Sequence, residues 1–134
     1  MYAFTLKDEQ EFDPKHHVEK ILGRAADGDF TVACWEPGQV SPDHCHPDAT
    51  EIYFCFEGGG TMKTAEGITE IKPGAFVVHP PGEVHEYTNG PERTLLFRVR
   101  YGSDMAPRMI GWPTNPEWQA TPEDIEYFEK NPVA

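Results

Sequence analysis

The stretch Pro37–Phe54, PGQVSPDHCHPDATEIYF, places two histidines and a carboxylate at the start of an apolar segment. His44 and His46 are separated by one residue, and Glu51 follows where the sequence becomes rich in β-branched and aromatic side chains. A polar loop that leads into a strand would explain this pattern, as would histidines that only satisfy hydrogen bonds. The remaining sequence has to show whether the three side chains have a common purpose.

Strand geometry favours such a purpose, because alternate residues of an extended strand face the same side. His44 and His46 therefore point together, and Glu51 can reach both imidazoles if its strand lies beside theirs. Two neutral nitrogens and one carboxylate form a partial shell for Zn, Mn, Fe or Ni. His85 follows the turn PPG at the start of a predicted strand, so it is a better fourth ligand than the alternatives, which are His16, His17 and His79.

Length and composition indicate one globular domain with many short strands. The chain has 134 residues, 38% of them hydrophobic and 25% charged, and it contains 12 glycines and 13 prolines spread along its length. The formal net charge of −12 disfavours nucleic acid and anionic membranes as partners. No apolar run approaches the roughly 20 residues of a membrane span, and the first residues do not resemble a secretory signal.

Cysteine usage indicates a reducing compartment. Cys34, Cys45 and Cys55 are an odd number without paired spacing, so we expect buried thiols and a cytoplasmic protein.

Turn signals divide the chain into short strands. Residues 1–15 are predicted to be an N-terminal arm, residues 16–104 a barrel, and residues 105–134 a C-terminal extension. Hairpins are predicted around Asp27-Gly28 and Glu66-Gly67. A helix capped by Asp13-Pro14 and ending at Leu22 is an alternative to the first strand. Thr121 opens a short C-terminal helix with a capping-box pattern.

The spacing of ten residues resembles the two motifs of the cupin superfamily. The first motif is matched by Gly38, His44, His46, Glu51 and Gly58, and the second by Gly74, Pro80, Gly82, His85 and Asn89. The resemblance implies an all-β fold, a small antiparallel jelly-roll barrel, to which the short C-terminal helix is added. By position, it also implies that His44, His46, Glu51 and His85 ligate one divalent metal ion, which would be Fe, Mn, Zn or Ni.

Tyr53 shares the face of Glu51, so its phenol is a candidate proton carrier or substrate contact. Packing of Tyr53 in the core is the alternative. Cys55 lies on the same face and is expected to pack there.

Arg98 and Arg100 share a face in TLLFRVRYG. If that face is inward, they are candidates for binding a substrate carboxylate. The usual apolar interior favours the opposite, with Leu95, Phe97 and Val99 in the core and the arginines in solvent or at a subunit contact. His79 is a further candidate for substrate binding or for a turn. Three C-terminal side chains, Met109, Trp112 and Trp118, are expected to cover either the barrel mouth or a partner subunit.

The resemblance implies a metal-dependent enzyme that acts on a small oxygen-rich molecule. Dioxygenation and non-redox lyase, isomerase or decarboxylase chemistry both suit the predicted ligands. The alternative is a metal-containing module that binds or senses a small molecule without turnover. Because small single-barrel cupins commonly dimerise, a homodimer is expected, and the aromatic C-terminal segment offers a surface for it.

Overall fold

The computed structural model describes residues 1–133 and shows an antiparallel jelly roll with two short helices. The strands are β1 (Val18–Ala25), β2 (Gly28–Trp35), β3 (Asp43–Cys45), β4 (Ala49–Glu57), β5 (Gly60–Thr64), β6 (Gly67–Ile71), β7 (Phe76–His79), β8 (Glu86–Asn89), β9 (Thr94–Gly102) and β10 (Arg108–Gly111). The helices are α1 (Leu6–Glu9) and α2 (Pro122–Lys130). The all-β prediction and the predicted C-terminal helix are thereby confirmed.

Three sheets build the fold. Five strands pair in the order β1-β2-β9-β4-β7, three in the order β6-β5-β8, and β10 pairs with β3. All of these pairings are antiparallel. Isolated bridges join His44 to His85 and Val40 to Thr88, so the segment before β4 lies against β8 and the residue before it.

Both predicted hairpins are present, formed by β1 with β2 and by β5 with β6. The alternative helix that would end at Leu22 is wrong, because Val18–Ala25 pairs along its length with β2. The long-range pairing of β1 with β2 determines the structure of this segment, and the local capping signal at Asp13-Pro14 does not start a helix.

The sequence did not indicate α1 or β10, and β10, with four residues, is too short for a clear alternation. The strand expected at His44 and His46 is β3, which has three residues and ends at Cys45. The pairing of β10 with β3 connects the C-terminal extension to the barrel.

Helix α2 begins as the capping box predicts. The Thr121 hydroxyl accepts from the Asp124 backbone N–H, and the Asp124 carboxylate accepts from the Thr121 backbone N–H. The same carboxylate also accepts from the Met109 backbone N–H at 2.9 Å, which ties α2 to β10.

Apolar side chains pack on both faces of the five-stranded sheet. The inner cluster joins that sheet to the three-stranded sheet through Ala33, Trp35, Tyr53, Cys55, Met62, Ile71, Tyr87 and Leu96. On the outer face, Val32, Cys34 and Leu95 pack against Leu6 and Phe12 of the N-terminal arm. The arm is therefore part of the packed structure.

All three cysteines are buried free thiols, as expected. No helix within residues 1–133 has the length and hydropathy needed to cross a membrane.

Candidate metal centre

The four predicted ligands come from separate segments that the fold brings together. His44 lies on β3, His46 follows that strand, Glu51 lies on β4, and His85 precedes β8. The backbones of His44 and His85 exchange hydrogen bonds of 3.1 and 2.8 Å. This bridge fixes two of the ligands side by side, and all four side chains are buried.

Backbone carbonyls orient the three imidazoles. Nδ1 of His44 is 2.8 Å from the carbonyl oxygen of Pro42, Nδ1 of His46 is 2.9 Å from that of Met105, and Nδ1 of His85 is 3.0 Å from that of Glu83. Because a carbonyl only accepts, each Nδ1 carries the proton and donates it. In the neutral ring, Nε2 then holds the free lone pair that a metal requires.

The carboxylate of Glu51 lies next to two of these rings. Its Oε1 lies 2.9 Å from Nε2 of His85 and 3.4 Å from Nε2 of His46. One ligand atom from each of His44, Glu51 and His85 lies within 4.8 Å of the others. His46 falls outside this trio but remains within reach of the same carboxylate oxygen.

The donor set fits a divalent cation. Oε1 of Glu51 and Nε2 of His85 are both buried, and neither has a hydrogen-bond partner among residues 1–133. Buried polar atoms are rarely left unsatisfied, since the cost is about 1–3 kcal/mol each. A cation between them would satisfy both, and imidazole with carboxylate is a common donor set for such ions.

The environment keeps these groups in the protonation states that ligation needs. Burial, reinforced by the neighbouring ring of His85, lowers the pKa of His44 to about 3 from its ordinary 6.5. Burial also lowers the pKa of His46. For Glu51, burial opposes ionisation, but His85, His46 and Arg98 outweigh it and hold the pKa below its usual range. Neutral imidazoles at His44 and His46 and an anionic carboxylate at Glu51 are favoured.

Arg98 corrects one expectation from the sequence. It is 2% exposed and points into the barrel, where Nη1 lies 3.2 Å from Oε1 of Glu19 and 3.7 Å from Oε2 of Glu51. The solvent-facing orientation that the apolar-inside pattern favoured is wrong. Phe97 and Val99 occupy the outer face of the sheet and are only partly buried.

Arg100 also faces inward, and it forms an ion pair with the carboxylate of Asp29. Its Nε and Nη2 donate to the two oxygens of Asp29 at 3.1 and 2.8 Å, a bidentate pair across β2 and β9. Arg98 and Arg100 both line a cavity of about 220 Å³ beside His44 and His46. Three larger grooves, of about 250, 500 and 610 Å³, contain none of the predicted ligands.

The cavity wall includes His17, which the sequence offered only as an alternative fourth ligand, and Glu19, to which the sequence assigned no role. His17 stacks on Trp35 at 4.0 Å and pairs with Glu19, whose Oε1 is 3.2 Å from Nε2 of His17. Desolvation raises the pKa of Glu19, but the charge of Arg98 and the hydrogen bond with His17 lower it by more, so the pKa lies below its usual range. The spacing of His17 and Glu19 on alternate residues was the only signal in the sequence.

The C-terminal segment covers the mouth of this cavity. The sequence predicted either this position or a contact with a partner subunit. Met109 and Trp112 line the cavity, and the indole N–H of Trp112 donates to the carbonyl of Val40 at 2.9 Å. Trp112 therefore packs on its own chain.

Tyr53 and His79 lie outside the cavity lining. The Tyr53 hydroxyl donates to Oε2 of Glu51 at 3.4 Å, and burial together with the charge of Glu51 raises the pKa of Tyr53 far above its usual range. His79 stacks on His85 at 3.7 Å, and Nδ1 of His79 is 2.7 Å from Oε1 of Glu83. Both side chains support ligands, and their predicted catalytic and substrate-binding roles stay predictions.

Comparison with known proteins agrees with this architecture. Gentisate 1,2 dioxygenase 1 of Aquipseudomonas alcaligenes is 31% identical over 62 residues, which are 46% of this chain and 18% of that enzyme. Quercetin 2,3-dioxygenase of Bacillus subtilis is 35% identical over 75 residues, which are 54% of this chain and 22% of that enzyme. The chain thus spans about a fifth of either relative.

Solved structures support the fold. A Klebsiella pneumoniae protein with a double-stranded β-helix domain superposes with a TM-score of 0.73 and 21% identity, covering 80% of this chain and 95% of that one. The family described as the cupin domain matches residues 31–98, about half of the sequence, and includes the segments that carry His44, His46, Glu51 and His85. The chain belongs to the cupin domain family.

Proposed function

We propose that this protein is a metal-dependent enzyme that acts on a small, oxygen-rich molecule in the cavity beside the metal centre. The arrangement of three imidazoles around one carboxylate carries the proposal. Each ring is tied by Nδ1 to a backbone carbonyl, so the Nε2 lone pair of a neutral His85 faces Oε1 of Glu51 at 2.9 Å with no proton between them. A cation would satisfy both acceptors.

His44, His46, Glu51 and His85 would hold one divalent ion, which is Fe, Mn, Zn or Ni in this proposal. When bound, the ion would supply Lewis-acid polarisation of a ligand oxygen or, in the case of iron, redox chemistry with dioxygen. The four side chains do not select among these metals, because affinity follows the general order of divalent ions and their availability.

The cavity sets limits on the substrate. A volume of about 220 Å³ has room for about seven waters at about 30 Å³ each. Single-ring or short-chain molecules match this space better than three-ring flavonols.

Charge around the cavity points to an anionic substrate. Three guanidiniums, Arg24, Arg98 and Arg100, lie within 4.0 Å of three carboxylates, Asp29, Glu19 and Glu51, so these charges balance. A divalent cation at the predicted ligands would leave two positive charges in excess. An anionic ligand, such as a carboxylate or enolate, would offset them.

Dioxygenation is the first reaction to test, since two of the matched relatives are dioxygenases. Non-redox lyase, isomerase or decarboxylase chemistry is the second. Untagged protein is analysed by elemental mass spectrometry, then reconstituted with each of the four metals. Oxygen uptake is measured with gentisate, catechol and other chelating enols, and small sugar acids are screened for non-redox conversion.

The outcomes separate three cases. Turnover that needs the metal and disappears in His46→Ala supports the enzyme. Metal and ligand binding without conversion of any compound would favour the alternative, a binding or sensing module. Failure to bind any of the four metals contradicts both. Tyr53→Phe then tests the predicted proton carrier: loss of turnover with metal retained supports that role, and full activity removes it.

A further inference from the structure

The two carboxylate oxygens of Glu19 have different environments. Oε1 lies 3.2 Å from Nε2 of His17 and 3.2 Å from Nη1 of Arg98. Oε2 makes no hydrogen bond or ion pair within residues 1–133. The side chain is 41% exposed and lines the cavity of about 220 Å³ beside His44 and His46. A ligand in the cavity can therefore reach a carboxylate with one oxygen left unpaired.

Packing fixes the two groups that hold Oε1 of Glu19. The ring of His17 stacks on Trp35, with the centroids 4.0 Å and the planes 5° apart. Arg98 is 2% exposed, and its Nη2 donates to the hydroxyl of Thr31 at 3.3 Å. Because a carboxylate only accepts, Nε2 of His17 carries the proton, the reverse of the three histidines of the candidate metal centre. Rigid neighbours thus orient Glu19, as a pre-organised binding residue requires.

Glu19 stays anionic in this setting. Burial raises the pKa of its carboxyl, but the charge of Arg98 and the hydrogen bond with His17 lower it by more. Glu19 is therefore a weak base and a strong hydrogen-bond acceptor, since hydrogen bonds to ionised groups are about twice as strong as neutral ones. A hydroxyl or an ammonium group of a ligand would supply the missing donor.

Arg100 offers a complementary donor in the same cavity. Its Nε and Nη2 bind Asp29, and Nη1 makes no hydrogen bond in the described part of the chain. Nη1 can therefore donate to the carboxylate of a ligand. Four apolar side chains complete the lining and fit a short apolar body that carries both polar groups: Pro42, Pro107, Met109 and Trp112.

We propose that Glu19 is a specificity-determining residue, which accepts a hydrogen bond from a hydroxyl of the substrate while Arg100 binds the substrate carboxylate. The substrate is then a small hydroxy acid, and this inference rests on the proposed binding of a small molecule in the cavity. An ammonium group is the less suitable donor, because it would add a positive charge beside Arg98 and the metal ion. A ligand without the hydroxyl displaces water from Glu19 and does not replace its hydrogen bond.

Isothermal titration calorimetry of the full chain tests the inference, with and without Zn²⁺. The ligands are benzoate and the ortho-, meta- and para-hydroxybenzoates, whose single ring suits the cavity and whose hydroxyls lie at three distances from the carboxylate. We expect at least one hydroxybenzoate to bind at least about 10-fold more tightly than benzoate. The analogue with an aminomethyl group in place of that hydroxyl is expected to bind more weakly than the hydroxybenzoate.

Glu19→Ala removes the acceptor and is expected to reduce the preference for the hydroxyl to about 2-fold or less. Glu57→Ala is the matched control, since the Glu57 side chain is also 41% exposed and pairs with a cation, Lys7, on the outer face of the sheet. This control loses the same charge and should keep the preference. Circular dichroism verifies folding. If Glu19→Ala does not fold, Glu19→Gln makes the test, because its neutral acceptor should lower the preference at least about threefold.

A preference that is equal in wild type and in the folded Glu19 variant overturns the inference, because the metal ion or another group then binds the hydroxyl. Equal affinity of wild type for all four benzoates overturns it, as do the absence of binding, tighter binding of the aminomethyl analogue, and loss of the preference in Glu57→Ala. Calorimetry needs no turnover, so the enzyme proposal fails separately. Discrimination through Glu19 without conversion of any compound upholds the inference alone, and turnover of other compounds without this discrimination upholds the enzyme alone.

Discussion

Oε1 of Glu51 lies 2.9 Å from Nε2 of His85, and neither atom has another hydrogen-bond partner in the described part of the chain. Nδ1 of His85 donates to a backbone carbonyl, so a neutral His85 has no proton on the nitrogen that faces Glu51. Two acceptors then face each other inside the barrel. A cation resolves this conflict, whereas in its absence a proton must be shared between the two groups.

Removing either histidine that faces Glu51 should abolish metal binding. His85→Ala and His46→Ala each delete a nitrogen ligand, and we expect a loss of affinity greater than the roughly 100-fold that outer-shell changes cause. Metal content after dialysis against limiting Zn²⁺, measured by elemental mass spectrometry, gives the result. His16→Ala is the control, since its ring packs on Trp112 outside the cluster. Undiminished metal in His46→Ala would remove that residue from the shell.

The metal-free protein should lose stability as the pH falls below 6.5. Unfolded His44 binds a proton near its ordinary pKa of 6.5, but the folded protein resists protonation until about 3. Between these values the unfolded state binds more protons, so the free energy of unfolding rises with pH. His46 and His79, whose pKa values burial also lowers, and Glu51, whose pKa its cationic neighbours lower, all act in the same direction.

Urea unfolding at about pH 7 and about pH 5 measures this effect, which is at most about 1.4 kcal/mol per pH unit for each histidine. His44→Gln removes the largest contributor and should flatten the dependence. An equal slope in His44→Gln and wild type would show that His44 is not held neutral. The same experiment with Zn²⁺ should show higher stability at about pH 7 in wild type, because metal binds the folded state.

Arg98 should stabilise the metal-free barrel through Glu51. Deleting one partner of a buried ion pair leaves the other charge without compensation, at a cost of about 3–5 kcal/mol. Arg98→Met removes the guanidinium that touches both Glu51 and Glu19, and Arg98→Lys is the control that keeps the charge. Added metal should recover part of the loss in Arg98→Met, because a cation neutralises Glu51. Thermal melts with and without Zn²⁺ measure both effects, and equal melts for the two variants would contradict the argument.

The inward orientation of Arg98 is a feature that the sequence did not predict. Alternation in β9 identified two faces, and the rule that apolar residues lie inside selected the wrong one. Both faces of this strand are covered near its start and middle: the inner face by Glu19, Thr31 and Glu51, and the outer face, at Leu95 and Phe97, by the N-terminal arm. A functional cavity places polar residues inside, and this departure from binary patterning is typical of functional sites.

The cluster of His44, His46, Glu51 and His85 was predictable because the spacing of these residues is carried by two short motifs, each spanning consecutive strands of the chain. His17 and Glu19 were not, since they reach the cavity only through the pairing of β1 with β2. That pairing is long-range, and the alternation of the two residues is too common to indicate a role by itself.

Two motif glycines should differ in how they tolerate alanine. Gly38 and Gly58 have similar positive φ angles, +74° and +83°, so either substitution incurs about 1–2 kcal/mol of left-handed backbone strain. A Cβ at Gly38 meets no atom within 4 Å, whereas at Gly58 it would overlap the Thr94 hydroxyl and the Arg93 carbonyl. Thr94 is fully buried and accepts from the Gly59 backbone N–H at 2.8 Å, so it has no room to move.

Gly58→Ala is therefore expected to lower the free energy of unfolding by about 1–3 kcal/mol more than Gly38→Ala does, the usual cost of overpacking. Urea unfolding of the two variants beside wild type measures the difference. Because backbone strain is common to both, the difference isolates the steric role of Gly58 at the junction of β4 and β9. Equal losses would mean that the first cupin motif keeps both glycines for their φ angles alone.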